Sequence, residues 1–236
     1  MNLQKLSALT ALSISAVAAH AQMDQIGPNP GANPWSVIDS GQDFEAAFDQ
    51  YDTAIVDDFT LSTATNITNA EAVIGGWNGT VQGSFASVSV WHVNFYSSMA
   101  AAVANMYNGD QGSFNIAGGS VGIDNSWANT ANPAAKISIA LSGLTLGAGT
   151  HYMSVTPSFP FNGGGQMGVV ASVWSGNNPG GLNAHQLNPG GGFGQGADVN
   201  AGIDAAYRLT GSAVPEPATM AALGLGVAAM LRRRRK

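Results

Sequence analysis

A glycine-serine motif is the first place where residue types and spacing suggest chemistry. The segment GGSVG at residues 118–122 fits the G-x-S-x-G nucleophile elbow, with Ser120 at its centre, and Asp124 and His151 follow in serine-hydrolase order. An elbow exposes its serine between a strand and a helix, whereas residues 123–133 are mostly turn formers. Because the chain has 31 glycines, we attribute the pattern to composition and predict no catalytic residues.

Two further glycine patterns resemble nucleotide-binding motifs without the elements that such motifs need. Gly224-x-Gly226-x-x-Ala229 mimics a dinucleotide fingerprint, but it lies inside an apolar tail with no strand before it. The run GGGFGQG at residues 190–196 has no lysine in or near it, so a phosphate-binding loop is unsupported. We predict that this run is a mobile surface loop, and we predict no bound cofactor.

Histidines and carboxylates supply the candidate metal ligands. His92, His151 and His185 are far apart in the sequence and form no H-E-x-x-H motif, so a zinc site is not expected and His92 is predicted to face solvent from a strand. Oxygen donors recur in Asp198-x-Asn200-x-Gly202-x-Asp204, and Asp57-Asp58 adds a carboxylate pair. Such donors suit calcium, although the bidentate glutamate of the twelve-residue calcium loop is absent. We predict no metal site; the calcium alternative predicts that calcium raises the melting temperature.

Aromatic side chains and carboxylates leave binding and hydrolysis of glycans as competing hypotheses. The five tryptophans and five tyrosines include Trp77, Trp127 and Trp174 near turns, where exposed rings could stack on sugars, while Trp91 is the strongest core candidate. A secreted glycan-active hydrolase would instead need two carboxylates flanking the scissile bond. The sequence cannot place two of its acids together, so we predict a non-catalytic domain with hydrolysis as the alternative.

Short alternating segments predict the elements that carry these residues. Strands are expected at 53–62, 67–77, 85–96, 135–141, 151–156, 167–174 and 203–210, with Ile203, Ala205, Tyr207 and Leu209 facing inward. Residues 98–107 are expected to form one short helix, 43–51 a helical turn or edge strand, 108–132 an irregular excursion and 177–196 a long glycine-rich loop. About eight strands between Gly, Pro and Asn turns predict an all-β fold, a single jelly-roll-like β-sandwich.

The N-terminus has the three parts of a signal peptide. Lys5 supplies the positive charge, residues 6–18 are apolar, and Ala19-His20-Ala21 is a small-x-small cleavage site. We therefore predict a signal peptide at residues 1–21 and an exported domain at 22–213.

The C-terminal residues 214–236 combine a rigid triplet, an apolar run and a basic cluster. Pro215-Glu216-Pro217 holds the chain extended, and residues 218–231 are uncharged. Fourteen residues make about 21 Å of helix, short for a hydrocarbon core of about 30 Å. The cations that follow favour the cytoplasmic side and place the preceding domain outside; they are Arg232, Arg233, Arg234, Arg235 and Lys236.

This tail closely resembles the PEP-CTERM sorting signal of Gram-negative bacteria. The resemblance implies recognition and cleavage by an exosortase, a membrane cysteine transpeptidase-like enzyme found in bacteria that make exopolysaccharide. The precursor would pass through the inner membrane on its way to the cell surface or extracellular matrix. A permanent tail anchor is the alternative. The segments VDDFTLSTATNIT, DAAYRLTGSAVPEP and LGAGTHYMSV also resemble ectodomains of this family, which implies a structural or carbohydrate-binding sandwich and a polysaccharide partner.

Charge and cysteine content narrow the partners of the exported domain. Without the two predicted signals it carries thirteen acids against two bases, Lys136 and Arg208, a formal net charge of −11. Such a surface repels nucleic acid, so no nucleic-acid partner is expected. The chain has no cysteine, which excludes disulfide bonds and thiol catalysis.

Overall fold

The computed structural model describes residues 20–27, 29, 37–129, 132–172, 182–194 and 196–215. These residues form thirteen strands and one short α-helix, joined by turns and 3-10 helices. The strands are β1 (His20–Asp24), β2 (Val37–Ser40), β3 (Ala54–Leu61), β4 (Thr65–Trp77), β5 (Val90–Tyr96), β6 (Gly112–Ala117), β7 (Gly122–Asp124), β8 (Ala134–Leu146), β9 (Gly149–Ser158), β10 (Gln166–Val170), β11 (His185–Leu187), β12 (Asp198–Asn200) and β13 (Tyr207–Ala213), and the helix is α1 (Met99–Ala104).

The strands build two antiparallel sheets, which confirms the all-β prediction. In the first sheet, β8 pairs with one edge of the long strand β4, and β7 pairs with β8. The other edge of β4 pairs with two strands in succession. Its first part pairs with β13, which also pairs with β1, and its last part pairs with β10, which also pairs with β2. The second sheet has the order β12-β11-β3-β9-β5-β6. The jelly-roll-like likeness stays a prediction.

One apolar core lies between the two sheets. Strand β5 contributes Trp91, Val93 and Phe95, all fully buried, and they share a cluster with Ile137 and Ile139 from β8 of the other sheet. The period-two alternation of these strands follows from the pleat, which turns successive side chains to opposite faces. The prediction that Trp91 is a core residue is confirmed.

Tyr207 connects the two sheets, because its hydroxyl takes the place of a backbone hydrogen bond between β3 and β9. Strands β3 and β9 are paired as far as Val56 and Ser154, so Ile55 and Val155 are the next opposite residues. The hydroxyl of Tyr207, from the other sheet, donates to the carbonyl oxygen of Ile55 (2.8 Å) and accepts from the N–H of Val155 (3.3 Å). Both backbone groups are thus satisfied inside the core, where water cannot reach them.

The second sheet is covered on its outer face as well, which the sequence pattern did not indicate. Tyr96 lies on the same face of β5 as His92, which was predicted to face solvent, yet it is fully buried and packs with Ala102 of α1 and with Met106. Its hydroxyl donates to the carbonyl oxygen of Met106. The short helix predicted at 98–107 is confirmed, and it begins at the N-cap Ser98, whose hydroxyl accepts from Ala101 N–H (3.1 Å).

Several element predictions were wrong in detail. The excursion predicted at 108–132 contains the strands β6 and β7, and the loop predicted at 177–196 contains β11. The strand predicted at 85–96 begins only at Val90, after a 3-10 helix at Gln82–Ser87. Ile203, predicted to face inward, is 40% exposed, because regular pairing begins only at Tyr207.

Both predicted signals lie largely outside the described residues. Among the residues that the structure describes, no helix has the length and apolar character needed to cross a membrane. Strand β1 begins at His20 and includes Ala21. Cleavage after Ala21 would remove two residues of this strand and leave the pairs Met23 with Leu209 and Asp24 with Arg208. The signal-peptide boundary and its cleavage residues, Ala19 and Ala21, stay predictions.

Candidate functional site

Five aromatic rings and one glutamine line a surface cavity of about 270 Å³. We call it the aromatic pocket. Neighbouring rings meet edge to face, with ring centroids 5.5 Å apart for Phe48 and Phe161 and 5.3 Å apart for Tyr51 and Phe193. This geometry suits aromatic quadrupoles. Among the described residues, the lining consists of Phe44, Phe48, Tyr51, Phe161, Gln166 and Phe193.

The first wall of the aromatic pocket is a 3-10 helix at Ala46–Tyr51 that carries Phe48 and Tyr51. Its preceding residue, Glu45, accepts hydrogen bonds from the N–H groups of Phe161 (2.7 Å) and Asn162 (3.0 Å). Desolvation acts to raise the pKa of Glu45, but these N–H donors hold it below its ordinary value. The carboxylate therefore fixes the loop that carries Phe161 against the helix.

Gln42 holds the same loop from beneath. Its side chain is fully buried, and its amide nitrogen donates to the carbonyl oxygens of Phe159 (2.5 Å) and Gly165 (3.3 Å). Its amide oxygen accepts from Met167 N–H (2.7 Å) at the start of β10. A buried amide with three partners is a rigid support, because any other arrangement leaves polar groups unpaired.

The glycine-rich segment at 190–194, predicted to be a mobile surface loop, forms the opposite wall and contacts the 3-10 helix through its backbone. Gly192 N–H donates to the carbonyl oxygen of Gln50 (2.8 Å). A Cβ at Gly192 would lie 2.6 Å from that oxygen and 2.7 Å from the ring of Tyr51, so only glycine permits this approach. The close approach brings Phe193 onto Tyr51. Gln195 lies outside the described residues.

Two carboxylates with opposite pKa shifts lie beside the aromatic pocket. Burial raises the pKa of Asp52 to about 6, assisted by the charges of Asp43 and Asp49 and opposed by a hydrogen bond from Phe44 N–H. Burial also acts to raise the pKa of Asp43, but hydrogen bonds from His92 and Ser158 hold it below its ordinary value.

His92 is partly buried rather than solvent-facing as predicted. Its Nε2 lies 3.1 Å from Asp43 Oδ2 and its Nδ1 2.6 Å from Asn115 Oδ1. Its ring stacks on Tyr107 at 5.2 Å. Burial lowers the pKa of His92, but the hydrogen bonds with Asp43 and Asn115 outweigh it and leave the pKa raised. Histidine and aspartate therefore stabilise each other's charge on the outer face of the second sheet.

The hydrolase-like motif does not have the geometry of an elbow. The motif follows β6 directly, but Ser120 ends a three-residue 3-10 helix that leads into the strand β7, whereas the serine of an elbow opens an α-helix. The carboxylate of Asp124 accepts from Ser126 N–H (3.0 Å). His151 is buried, with its Nδ1 2.7 Å from Gln111 Oε1 and its Nε2 2.9 Å from Gly147 O.

The candidate calcium ligands are distributed over separate elements. Asp198 lies on β12 with its carboxylate 2.5 Å from His185 Nδ1, and Asn200 Oδ1 accepts from Gly202 N–H. Asp57 is fully buried and accepts from Ala205 N–H (2.8 Å). Within the described ranges, no group of three or more His, Asp and Glu side chains is placed to hold a metal ion.

The predicted aromatic platform is wrong for Trp127, whereas Trp77 is partly exposed. Trp127 is only 5% exposed and packs in a small second core cluster, whereas Trp174 lies outside the described residues. Phenylalanine supplies most of the exposed rings instead. The i, i+3 spacing of Phe48 and Tyr51 is the signal that could have identified the first wall, because three residues make one turn of a 3-10 helix and place both rings on the same side.

The C-terminal tail leaves the folded domain without a spacer. Strand β13 ends at Ala213, and Val214 N–H donates to Ala64 O (2.7 Å) in the turn between β3 and β4. Val214 and Pro215 are exposed, and the remainder of the tail, including Glu216 and Pro217, lies outside the described residues.

Comparison with known proteins identifies this tail. The family model described as the PEP-CTERM protein-sorting motif matches residues 213–236, which confirms the resemblance and supports a PEP-CTERM sorting-domain protein. The motif supports sorting by an exosortase to the cell surface. No curated protein and no solved structure matches the chain.

Proposed function

We propose that the chain is an exported matrix protein whose precursor is held in the inner membrane by its tail and cut near Pro215-Glu216-Pro217. The matched motif at residues 213–236 carries this proposal. An extended proline-flanked segment next to a short apolar run offers a protease a strand-like substrate beside the bilayer. The exported product is then the β domain that ends close to Val214.

The β domain acts in this proposal as a non-catalytic, carbohydrate-binding module of extracellular polysaccharide. The aromatic pocket is the observation that carries it. Flat rings suit the C–H faces of pyranoses, and Gln166 adds an amide that can form hydrogen bonds with hydroxyl groups. Because the lining holds no carboxylate, the aromatic pocket favours a neutral ligand that is bound rather than cleaved.

A glycan hydrolase is the second candidate, favoured by Asp43 and Asp52. Neighbouring carboxylates whose pKa values are driven apart are typical of acid–base pairs. Both carboxylates already accept hydrogen bonds from the protein, Asp52 from Phe44 N–H and Asp43 from His92, which is why we rank binding first. Loss of glycan cleavage in Asp52→Asn, with sugar binding retained, would establish the hydrolase.

Intact-mass measurement of protein recovered from membranes and medium tests the sorting step. We expect a mature form beginning near Gln22 and ending near Pro217. Replacement of Pro215 and Pro217 by alanine should leave full-length protein in the membrane. If only full-length protein is found with the unaltered sequence, the tail is a permanent anchor and the sorting proposal is wrong.

Sedimentation of the mature protein with extracellular polysaccharide from the producing cells tests the binding step. Phe161→Ala and Phe48→Ala should each weaken binding, because each removes a ring that lines the aromatic pocket. Leu182→Ala, which truncates an exposed apolar side chain outside the aromatic pocket, is the control. Equal binding by all three variants would exclude the aromatic pocket as the binding site.

A further inference from the structure

Two of the connections that cross between the sheets, the β3–β4 and β8–β9 turns, lie together at one end of the domain. Leu61 at the end of β3 pairs with Gly149 at the start of β9. Thr65 at the start of β4 pairs with both Leu146 and Ala213. The register therefore places the turns at 62–64 and 147–148 beside the last residue of β13. We call this surface the exit end.

The exit end is uncharged in a strongly acidic domain. Residues 59–70, 137–151 and 209–215 contain no Asp, Glu, Lys or Arg. Their exposed positions are mostly Ser, Thr, Gly and Ala, including Thr63 and Ala148. The thirteen acids of the exported domain lie elsewhere.

The carboxylates nearest to the exit end along the strands are engaged by the protein. Asp58 Oδ1, in β3, accepts from Leu182 N–H (2.6 Å). Asp110 accepts from the N–H and hydroxyl of Ser97, just beyond β5. Both carboxylates are thus held in place by the protein, outside the uncharged ranges of the exit end.

The tail permits little distance between the exit end and a bilayer. Val214 is held by its hydrogen bond to Ala64 O, and the apolar run begins at residue 218. Four extended residues span at most about 14 Å, and the headgroup layer on each side of the hydrocarbon core is about 5–8 Å thick. A tail-anchored precursor must therefore hold the exit end at or just above the headgroups.

We propose that the exit end is the face that the precursor lays against the phospholipid headgroups, so that the aromatic pocket points away from the membrane. This inference rests on the anchoring step of the proposed function. Neutral hydroxyl and glycine surface approaches headgroup phosphates without the repulsion that carboxylates would meet. Strand β4 leads from Thr65 at the exit end to Trp77, whose partner Gln166 lines the aromatic pocket, a distance of about 40 Å along thirteen residues.

The N-terminal strand supports the same orientation independently. Strand β1 begins beside the end of β13, where His20 pairs with Gly211 and Ala21 with Thr210. The predicted signal-peptide cleavage after Ala21 therefore occurs near the exit end. Both predicted cleavage sites then lie on the side of the domain that faces the membrane.

Site-specific labelling tests the orientation, because the chain has no cysteine. Thr63→Cys and Ala148→Cys place a fluorophore at the exit end, and Ser87→Cys, equally exposed, places it near the opposite end, where Val90 pairs with Ser158. Full-length precursor is reconstituted in phosphatidylethanolamine–phosphatidylglycerol vesicles that contain a headgroup-linked quencher. We expect quenching at positions 63 and 148 to exceed that at 87 several-fold, and a chain ending at residue 215 to show none.

The outcomes separate this inference from the proposal on which it rests. Precursor that does not sediment with the vesicles would overturn anchoring and orientation together. Sedimentation with equal quenching at all three positions would overturn the orientation alone. The double variant Thr63→Glu/Ala148→Glu should lower quenching at a third exit-end label, Ser142→Cys, while Gly83→Glu/Ser87→Glu should not. If the acidic exit-end pair blocks cleavage in cells but leaves quenching unchanged, the surface contacts the processing enzyme and not lipid.

Discussion

Removing the hydroxyl of Tyr207 tests the contact between the two sheets most directly. Tyr207→Phe keeps the ring in the core and deletes the atom that joins Ile55 O to Val155 N–H. Ile55 and Val155 are fully buried, so water cannot replace the lost partner. A buried polar group without its hydrogen bond costs about 1–3 kcal/mol, and we expect the two together to lower the free energy of unfolding by about 2–3 kcal/mol.

That change is large enough to measure by thermal unfolding. For a domain of this size, each 1 kcal/mol lowers the melting temperature by about 2–4 °C, so Tyr207→Phe should melt about 4–12 °C below the unaltered protein. Circular dichroism gives the melting temperature. Amide exchange followed by NMR should show faster exchange at Val155, which a general loss of stability would not confine to that strand position.

Tyr152→Phe is the matched control, because Tyr152 lies on the same strand β9 but is only partly buried. We expect its free energy of unfolding to change by no more than about 0.5 kcal/mol. A melting temperature of Tyr207→Phe within about 1 °C of the unaltered protein, with unchanged exchange at Val155, would refute the hydroxyl's role between the strands.

Two further predictions concern the aromatic pocket and its surroundings. Burial raises the pKa of Asp52 from its ordinary 3.8 to about 6, so the folded state favours the neutral carboxyl and stability falls as pH rises from about 4 to about 6. Asp52→Asn should therefore raise the melting temperature at pH 7.5 and leave it nearly unchanged at pH 4; equal shifts at both pH values would contradict the assignment. Gly192→Ala puts a methyl group against Gln50 O and displaces Phe193, so polysaccharide binding in the sedimentation assay should weaken about 2- to 13-fold, the value of one aromatic contact. Gly83→Ala, which has open space around it, is the control, and a similar loss there would argue against the loop contact.

The regular part of the fold was predictable because its strands alternate. Strands β3, β4, β8 and β9 carry apolar residues at every second position or are buried throughout, and each was predicted within a few residues. The strands β6, β7 and β11 were missed because they are short, polar or next to glycine and asparagine, so that pairing with a neighbour determines their conformation. Pairing partners cannot be read from local periodicity.

The aromatic pocket was less predictable because its parts are far apart in sequence. Phe48, Phe161 and Phe193 come from three segments that each look like an irregular connection. Gln42 and Glu45 join these segments through hydrogen bonds to backbone atoms, which leave no sequence pattern. The glycines at 190–192 suggested mobility, whereas their small size permits close packing. The tail, in contrast, is a local linear motif and was identified without any structure.

The exported domain has two bases, and the ion pairs that they form explain why the rest of its acidic surface has no compensating positive charge. Arg208 forms ion pairs with Asp24 (3.1 Å) and Glu71 (2.7 Å), and Lys136 approaches the other oxygen of Glu71 (3.3 Å). By register, Asp24, Arg208 and Glu71 form one row across β1, β13 and β4, continued on β8 by Ser138, whose hydroxyl donates to Glu71 (2.7 Å).

Burial acts to raise the pKa of Glu71, but Ser138, Arg208 and Lys136 together hold it below its ordinary value. Both cations are therefore committed to joining four adjacent strands, on which the first and last strands of the domain depend. Neither is free to contact the phosphates of a nucleic acid, which such binding requires. The proposed neutral ligand at the aromatic pocket and the proposed membrane contact through the uncharged exit end both avoid the repulsion that an anionic partner would meet at the acidic surface.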